Sequence, residues 1–338
     1  MMRGSLKSPC PITVEKMNTP SSNNHNADAL VSRGIKGFSY VEIALAIIIW
    51  STSEIAAKLA QSQVPPLNIA TTRFWVGSLS LFLLIVVSGN LKTLKKALVN
   101  HWKELLLLGI SGITISFGLI HISVNLTDAF VASSILSTSP LFVLLISIFT
   151  ITNGLKPQKY EWVGIALGAI GVILFGFPKT QGGFSTNYLL GNLLALIASI
   201  SFGFYTWLGI KITKEYGGIL TTFISVTIGS LFLIPITLFL EGYQLSNATP
   251  TDWIYIIWLG IIVVTLAYTL YFEGLKNANR FIGTSLYFLK PPLATIWASI
   301  FLHEMPTPIE YVGVAIISSS FLIMGLGYWL STIKKRKY

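Results

Sequence analysis

Long apolar runs alternate along this chain with short polar gaps. Ten runs stand out, at about 40–60, 68–88, 105–123, 129–150, 161–177, 188–210, 219–240, 253–273, 281–302 and 309–331. Each approaches or reaches the roughly 17–25 residues a helix needs to cross the bilayer hydrocarbon. The runs are continuous and lack the period-two alternation of barrel strands. Lipid offers no partners to backbone N–H and C=O groups, so continuous spanning runs must be helices. The pattern therefore predicts an all-α integral membrane protein with ten transmembrane helices. Residues 1–38 differ: they are rich in Ser, Asn and Pro and hold no apolar run. They read as a disordered cytoplasmic tail rather than a cleavable signal peptide, with Met17 an alternative start. A short basic tail, 332–338, closes the chain.

Composition strengthens this reading. Of 338 residues, 53% are hydrophobic and 11% charged, against about 25% charged in an ordinary soluble domain. Mean hydropathy is +0.70. A single soluble domain and a disordered or fibrous chain are both excluded. The one cysteine, Cys10, leaves neither an internal disulfide nor a cysteine-based metal cluster.

The net charge of +10 would suggest nucleic acid in a soluble protein. Its distribution says otherwise. Nineteen of the 23 Lys and Arg residues fall in the two tails and the even-numbered connections, whereas the odd-numbered connections hold only Lys179. That asymmetry predicts cytoplasmic termini and an even number of spans. The basic charge sets orientation, with attraction to anionic membrane lipid as a corollary.

The chain also repeats itself. Leu108-Gly109-Ile110 and Thr114 recur as Leu259-Gly260-Ile261 and Thr265, and Pro140 falls on Pro291, all at an offset of 151. Glu161-Trp162-Val163-Gly164 recurs as Glu310-Tyr311-Val312-Gly313, and Thr71-Thr72 as Thr221-Thr222, at 149 and 150. Two five-helix halves are expected, 39–177 and 187–331. Because five is odd, the second half enters from the opposite side, giving the inverted repeats of alternating-access carriers.

These features resemble the EamA family of the drug/metabolite transporter superfamily. The resemblance rests on Trp50-Ser51-Thr52 in the first run, Arg73-Phe74 in the second, and a proline within the fourth and ninth. His303-Glu304 before Pro306, with Glu310 and Gly313, also fits; Asn153-Gly154 departs from the pattern, where an acidic residue is usual. The resemblance implies a multi-pass inner-membrane carrier, bacterial and often an exporter, whose cavity is lined by both halves. It covers nearly the whole chain but does not name a substrate.

Charges inside a bilayer are costly and need a reason. Glu54 and Lys58 are four residues apart, which puts them on one helix face in the favourable order. They form either a self-neutralised pair or a border of the cavity, where Glu54 meets a substrate ammonium or a coupling proton. Lys290 lies near the midplane, directly before Pro291 and Pro292. Two prolines free carbonyls one turn earlier, so a kink or break is expected there. Tyr287, Lys290 and Trp297 share one face and are expected to line the central cavity. On that reading Lys290→Met lowers transport and leaves stability almost unchanged. Trp50, Tyr205, Tyr268 and Tyr271 are further substrate-stacking candidates. Arg73, near the outer start of its run, reads as an interfacial anchor or structural ion pair. His121 reads as a packing residue, and Pro140, Pro291 and Pro292 as gating positions. The serines and threonine over 133–139 fit either close packing or a polar cavity wall. Gly164, Gly168 and Gly171 read as a packing stripe.

No G-x-x-x-x-G-K-[ST], H-E-x-x-H or G-x-S-x-G motif occurs. Two classes compete. One is a secondary transporter of small polar metabolites, amino acids or related compounds, working outward by alternating access. The other is a membrane-embedded enzyme or ligand sensor, which needs a catalytic constellation or a soluble domain that the sequence lacks. The first is preferred: not an enzyme, no cofactor, no metal and no nucleic acid, with a small-molecule substrate, membrane lipid and protons as partners. The sequence sets no oligomeric state.

Overall fold

The computed structural model describes residues 38–61, 63–150, 158–174 and 186–336, and all of its regular secondary structure is helical. The first half holds α1 (Phe38–Ala60), α2 (Pro66–Val87), a short α3 (Leu91–Asn100), α4 (Trp102–Leu126), α5 (Ala129–Thr150) and α6 (Lys159–Leu174). The second half holds α7 (Thr186–Tyr216), α8 (Gly218–Leu240), α9 (Pro250–Asn277), α10 (Arg280–Ser285), α11 (Lys290–Phe301) and α12 (Pro308–Arg336). Eight of these helices are long and apolar enough to cross a bilayer: α1, α2, α4, α5, α7, α8, α9 and α12. The fifth apolar run is represented by the 16 residues of α6, and the ninth by α10 and α11 with a 3-10 turn, Leu286–Leu289, between them. The N-terminal tail, Cys10, Met17, Asn153-Gly154 and Lys179 lie outside the described residues. The outward surface is apolar, with Leu79, Leu83, Ile173, Phe239 and Leu326 all exposed, as lipid requires and water would not favour.

The breaks follow from proline chemistry. Pro291 and Pro292 have no N–H to give the carbonyls four residues earlier, so the chain tightens into a 3-10 turn ahead of them. Pro140 does the same to α5. There Thr138 N bonds to Ile135 O at 3.1 Å and Leu141 N to Thr138 O at 2.9 Å. The carbonyl of Leu136, deprived of Pro140, accepts instead from Ser199 Oγ at 3.2 Å. The first run is interrupted as well, by a turn at Ser51 and Thr52.

The two halves interlock through matching contacts. α4 and α9 carry π-helical segments at corresponding places, Ile110–Phe117 and Trp258–Ala267. Thr114 Oγ1, in the first, donates to Gly229 O of α8 at 2.8 Å. Thr265 Oγ1, in the second, donates to Gly77 O of α2 at 3.3 Å. A Cβ on Gly77 or Gly229 would overlap the neighbouring helix, so glycine sets the close approach that lets the hydroxyls reach a facing backbone. Where α2 meets α8, Ser78 and Thr227 share a hydrogen bond of 2.6 Å. The two glutamates of the sequence repeat cap α6 and α12 alike, with Gln158 N to Glu161 and Thr307 N to Glu310 both at 2.7 Å. α6 packs lengthwise on α12, and the glycine stripe of α6 provides that contact: Gly164 faces Met324 and Gly171 faces Ile317.

Candidate functional site

Carboxylates at helix ends account for several of the acidic residues. Glu241, after α8, accepts from Leu67 N at 3.0 Å and Asn68 N at 3.1 Å, capping α2. Glu273, in α9, accepts from Gly218 N and caps α8. Glu304, after α11, accepts from Ala129 N at 3.0 Å and caps α5. Each places negative charge on the positive end of another helix and satisfies donors that would otherwise be orphaned.

Glu54 is different. It sits one turn past the break in α1, 2% exposed, and Lys290 Nζ donates to its Oε1 at 2.7 Å. Lys290 heads α11 at the break of the ninth run. The pair thus joins two interrupted helices from opposite halves, deep in the protein.

An aromatic cluster lies beside this pair. Trp50 Nε1 donates to Val263 O at 3.2 Å, which fixes the indole in the π-segment of α9. Around it stand Tyr271, Tyr268, Tyr287 and Phe202, with ring centroids 4.6, 4.7, 5.6 and 6.0 Å away. Tyr205 packs on Phe202 at 5.4 Å and donates to or accepts from Ser225 Oγ at 3.2 Å. The Tyr287 ring lies 5.4 Å from Lys290 Nζ, within cation–π range. Trp50, Tyr205, Tyr268, Tyr271 and Tyr287 are therefore brought together in one buried cluster, which Tyr287 joins to Lys290.

Four expectations need correction. Glu54 and Lys58 do not pair. Glu54 turns inward, whereas Lys58, one helical turn further along α1, extends its long stem to Glu304 Oε1 at 2.7 Å and Thr127 O at 3.0 Å. Arg73 is not an interfacial anchor: it is fully buried, with its guanidinium 4.4 Å from the Phe74 ring and 4.9 Å from the Phe117 ring. Lys290 is not exposed: helix packing and Glu54 leave its side chain 2% exposed. Trp297 does not flank it. It donates to Ser51 Oγ at 3.0 Å and lines a separate apolar cavity of about 250 Å³ with Thr52, Tyr255, Trp258 and Phe301.

His121 is buried, and its Nδ1 has no hydrogen-bond partner among the described residues. Pro140 and Pro291 are buried at their breaks and Pro292 is half-buried. Ser133, Ser134, Ser137, Thr138 and Ser139 are buried, with Ser137 bonding back to Ser133 O at 2.6 Å, the geometry of close packing. Phe117 and Phe202, which join Arg73 to the aromatic cluster, escaped the sequence reading because an isolated phenylalanine in an apolar run carries no signal. Among the described residues no three His, Cys, Asp or Glu side chains gather as a metal site.

A helical multi-pass membrane protein with two related halves, meeting around a buried ion pair, is the class that this fold and site define. The chain belongs to the EamA-like transporter family, whose model matches residues 37–177 and 189–326. It is 26% identical to an uncharacterized transporter of Archaeoglobus fulgidus over 88% of this chain and 99% of that one. It is 24% identical to the uncharacterized inner membrane transporter YedA of Escherichia coli strain K12, over 85% and 90%. A solved crystal structure superposes with a TM-score of 0.65 at 19% identity, covering 85% of this chain and 97% of the other, a likeness of fold alone.

Proposed function

We propose that this protein is a secondary transporter that carries small polar metabolites, amino acids or related compounds, out of the cell by alternating access. The observation that carries the reading is the Glu54–Lys290 pair, which links the broken ninth run of one half to the broken first run of the other. Interrupted helices near the midplane are where carriers build substrate sites. A buried ion pair is also a poor way to gain stability, so function is the better reason for its presence.

The paired contacts of Thr114 with Gly229 and Thr265 with Gly77 support two halves inverted about an axis in the membrane plane. With α6 and the α10–α11 unit counted as spans, that arrangement has ten. The charge asymmetry then puts both termini in the cytoplasm of a bacterial inner membrane. The closed packing around Lys290 is that of an occluded state, and the outer tie of Lys58 to Glu304 and α5 is the contact that outward opening must break. Substrate reaches the aromatic cluster when one end opens, and protons couple to transport through Glu54.

Flux through reconstituted liposomes tests the reading against a membrane-embedded enzyme or sensor. A carrier releases solute chemically unchanged. Conversion of the solute, or binding without release, supports the alternative.

A further inference from the structure

Arg73 is the charge that the carrier reading leaves unexplained. It is fully buried in α2. Its Nη1 donates to Ser53 Oγ at 3.2 Å, while Nε and Nη2 have no hydrogen-bond partner among the described residues. These two nitrogens lie along one edge of the guanidinium plane with their N–H bonds parallel, the edge that a carboxylate grips with both oxygens. The rings of Phe74 and Phe117 lie against the guanidinium and leave the N–H donors of that edge unsatisfied. Among the described residues no carboxylate lies within ion-pair distance of Arg73. Glu54, its electrostatic neighbour, is committed through Oε1 to Lys290. The charges of Glu54, Lys290 and Arg73 thus sum to +1 in an apolar surround. An uncompensated buried cation is among the most costly features a protein can keep.

A second unsatisfied group lies nearby. Tyr268 OH has no hydrogen-bond partner among the described residues and is also an electrostatic neighbour of Arg73. Phe117, stacked on Arg73, meets the Tyr268 and Phe202 rings at 5.9 and 5.7 Å, and those two rings flank Trp50. A cation with a free bidentate edge therefore borders an aromatic cluster.

We propose that Arg73 binds the carboxylate of a monoanionic substrate whose apolar or aromatic body stacks among Trp50, Phe117, Phe202 and Tyr268. This rests on the carrier reading and names its substrate class. The carboxylate supplies the missing counter-charge, and Tyr268 OH adds a third donor.

The full chain, purified in detergent, is heated with 3-phenylpropionate, indole-3-acetate, their amides, or phenethylamine. The two carboxylates raise Tm in the wild type; the amides and the amine do not. Arg73→Gln abolishes the carboxylate shift. Its own Tm is no lower than that of the wild type, because an unpaired cation has been removed, whereas a purely structural Arg73 would make that variant less stable. The proposal is overturned by equal shifts from carboxylate and amide, by no shift from either carboxylate, or by an Arg73→Gln variant that keeps the shift. Flux separates this from the carrier reading. Carboxylates that bind through Arg73 in a protein that transports no solute leave the site standing and the carrier fallen. Solutes that cross while carboxylates neither bind nor compete leave the carrier standing and the site fallen.

Discussion

Lys290 Nζ and Glu54 Oε1 lie 2.7 Å apart with both side chains 2% exposed, so each is the other's counter-ion in a place where neither can reach water. Removing one partner strands the other. Glu54→Gln and Lys290→Met, made singly, are expected to lower stability by about 3–5 kcal/mol. The double variant should recover most of that loss, since an uncharged pair of similar size is close to neutral there. Thermal unfolding of the three variants in detergent checks this. Equal Tm for wild type and both singles would mean that the pair does not form. The structure thus reverses the expectation that Lys290→Met leaves stability unchanged.

Lys58 and Glu304 form a second charged tie, and they differ in what else they hold. Glu304 also caps α5 through Ala129 N, whereas Lys58 also donates to Thr127 O, just past the end of α4. Glu304→Ala is expected to destabilise by about 1 kcal/mol or more through the lost cap. Lys58→Met should change stability little, because its side chain is 29% exposed, and should speed opening to the outside. Accessibility labelling of a cysteine placed at Thr127 reads that opening. Unchanged labelling in Lys58→Met would remove the tie from the gating account.

The helix breaks predict a separation of stability from activity. Pro140→Ala and Pro291→Ala restore backbone donors where the chain now tightens. Each variant should hold or raise Tm while lowering transport, because a continuous helix resists bending at the site. Full transport in both would show that the breaks are only tolerated.

Coupling is read at Glu54. If it carries the proton, wild-type flux depends on pH; flux that is independent of pH would make the protein a uniporter and leave Glu54 as a structural partner of Lys290.

Much of the architecture was legible in the residues. Apolar run length marked the helices, because lipid forces every spanning backbone group into a helix. The offset near 150 found the repeat because the same contacts, such as Thr114 and Thr265 on facing carbonyls, are made twice. Proline marked two of the three breaks, at Pro140 and Pro291, because its missing N–H acts locally; the turn at Ser51 and Thr52 carries no proline. The charge partners were not legible. Spacing places Glu54 and Lys58 on one face, but whether they meet depends on what the other half brings, and here Lys290 and Glu304 arrive from more than 230 residues away. Arg73 was misplaced because distance from the start of a run does not tell which way its side chain turns.

The central claim is that the charge pair sits in a transport path, and one measurement meets it directly. Proteoliposomes loaded with a cell metabolite extract are allowed to empty, and the released solutes are identified by mass spectrometry. Wild-type protein should release a small set of polar metabolites unchanged, and the folded double variant Glu54→Gln/Lys290→Met should release none of them above protein-free liposomes. Wild-type release no greater than that of protein-free liposomes, or equal release by the double variant, would contradict the account.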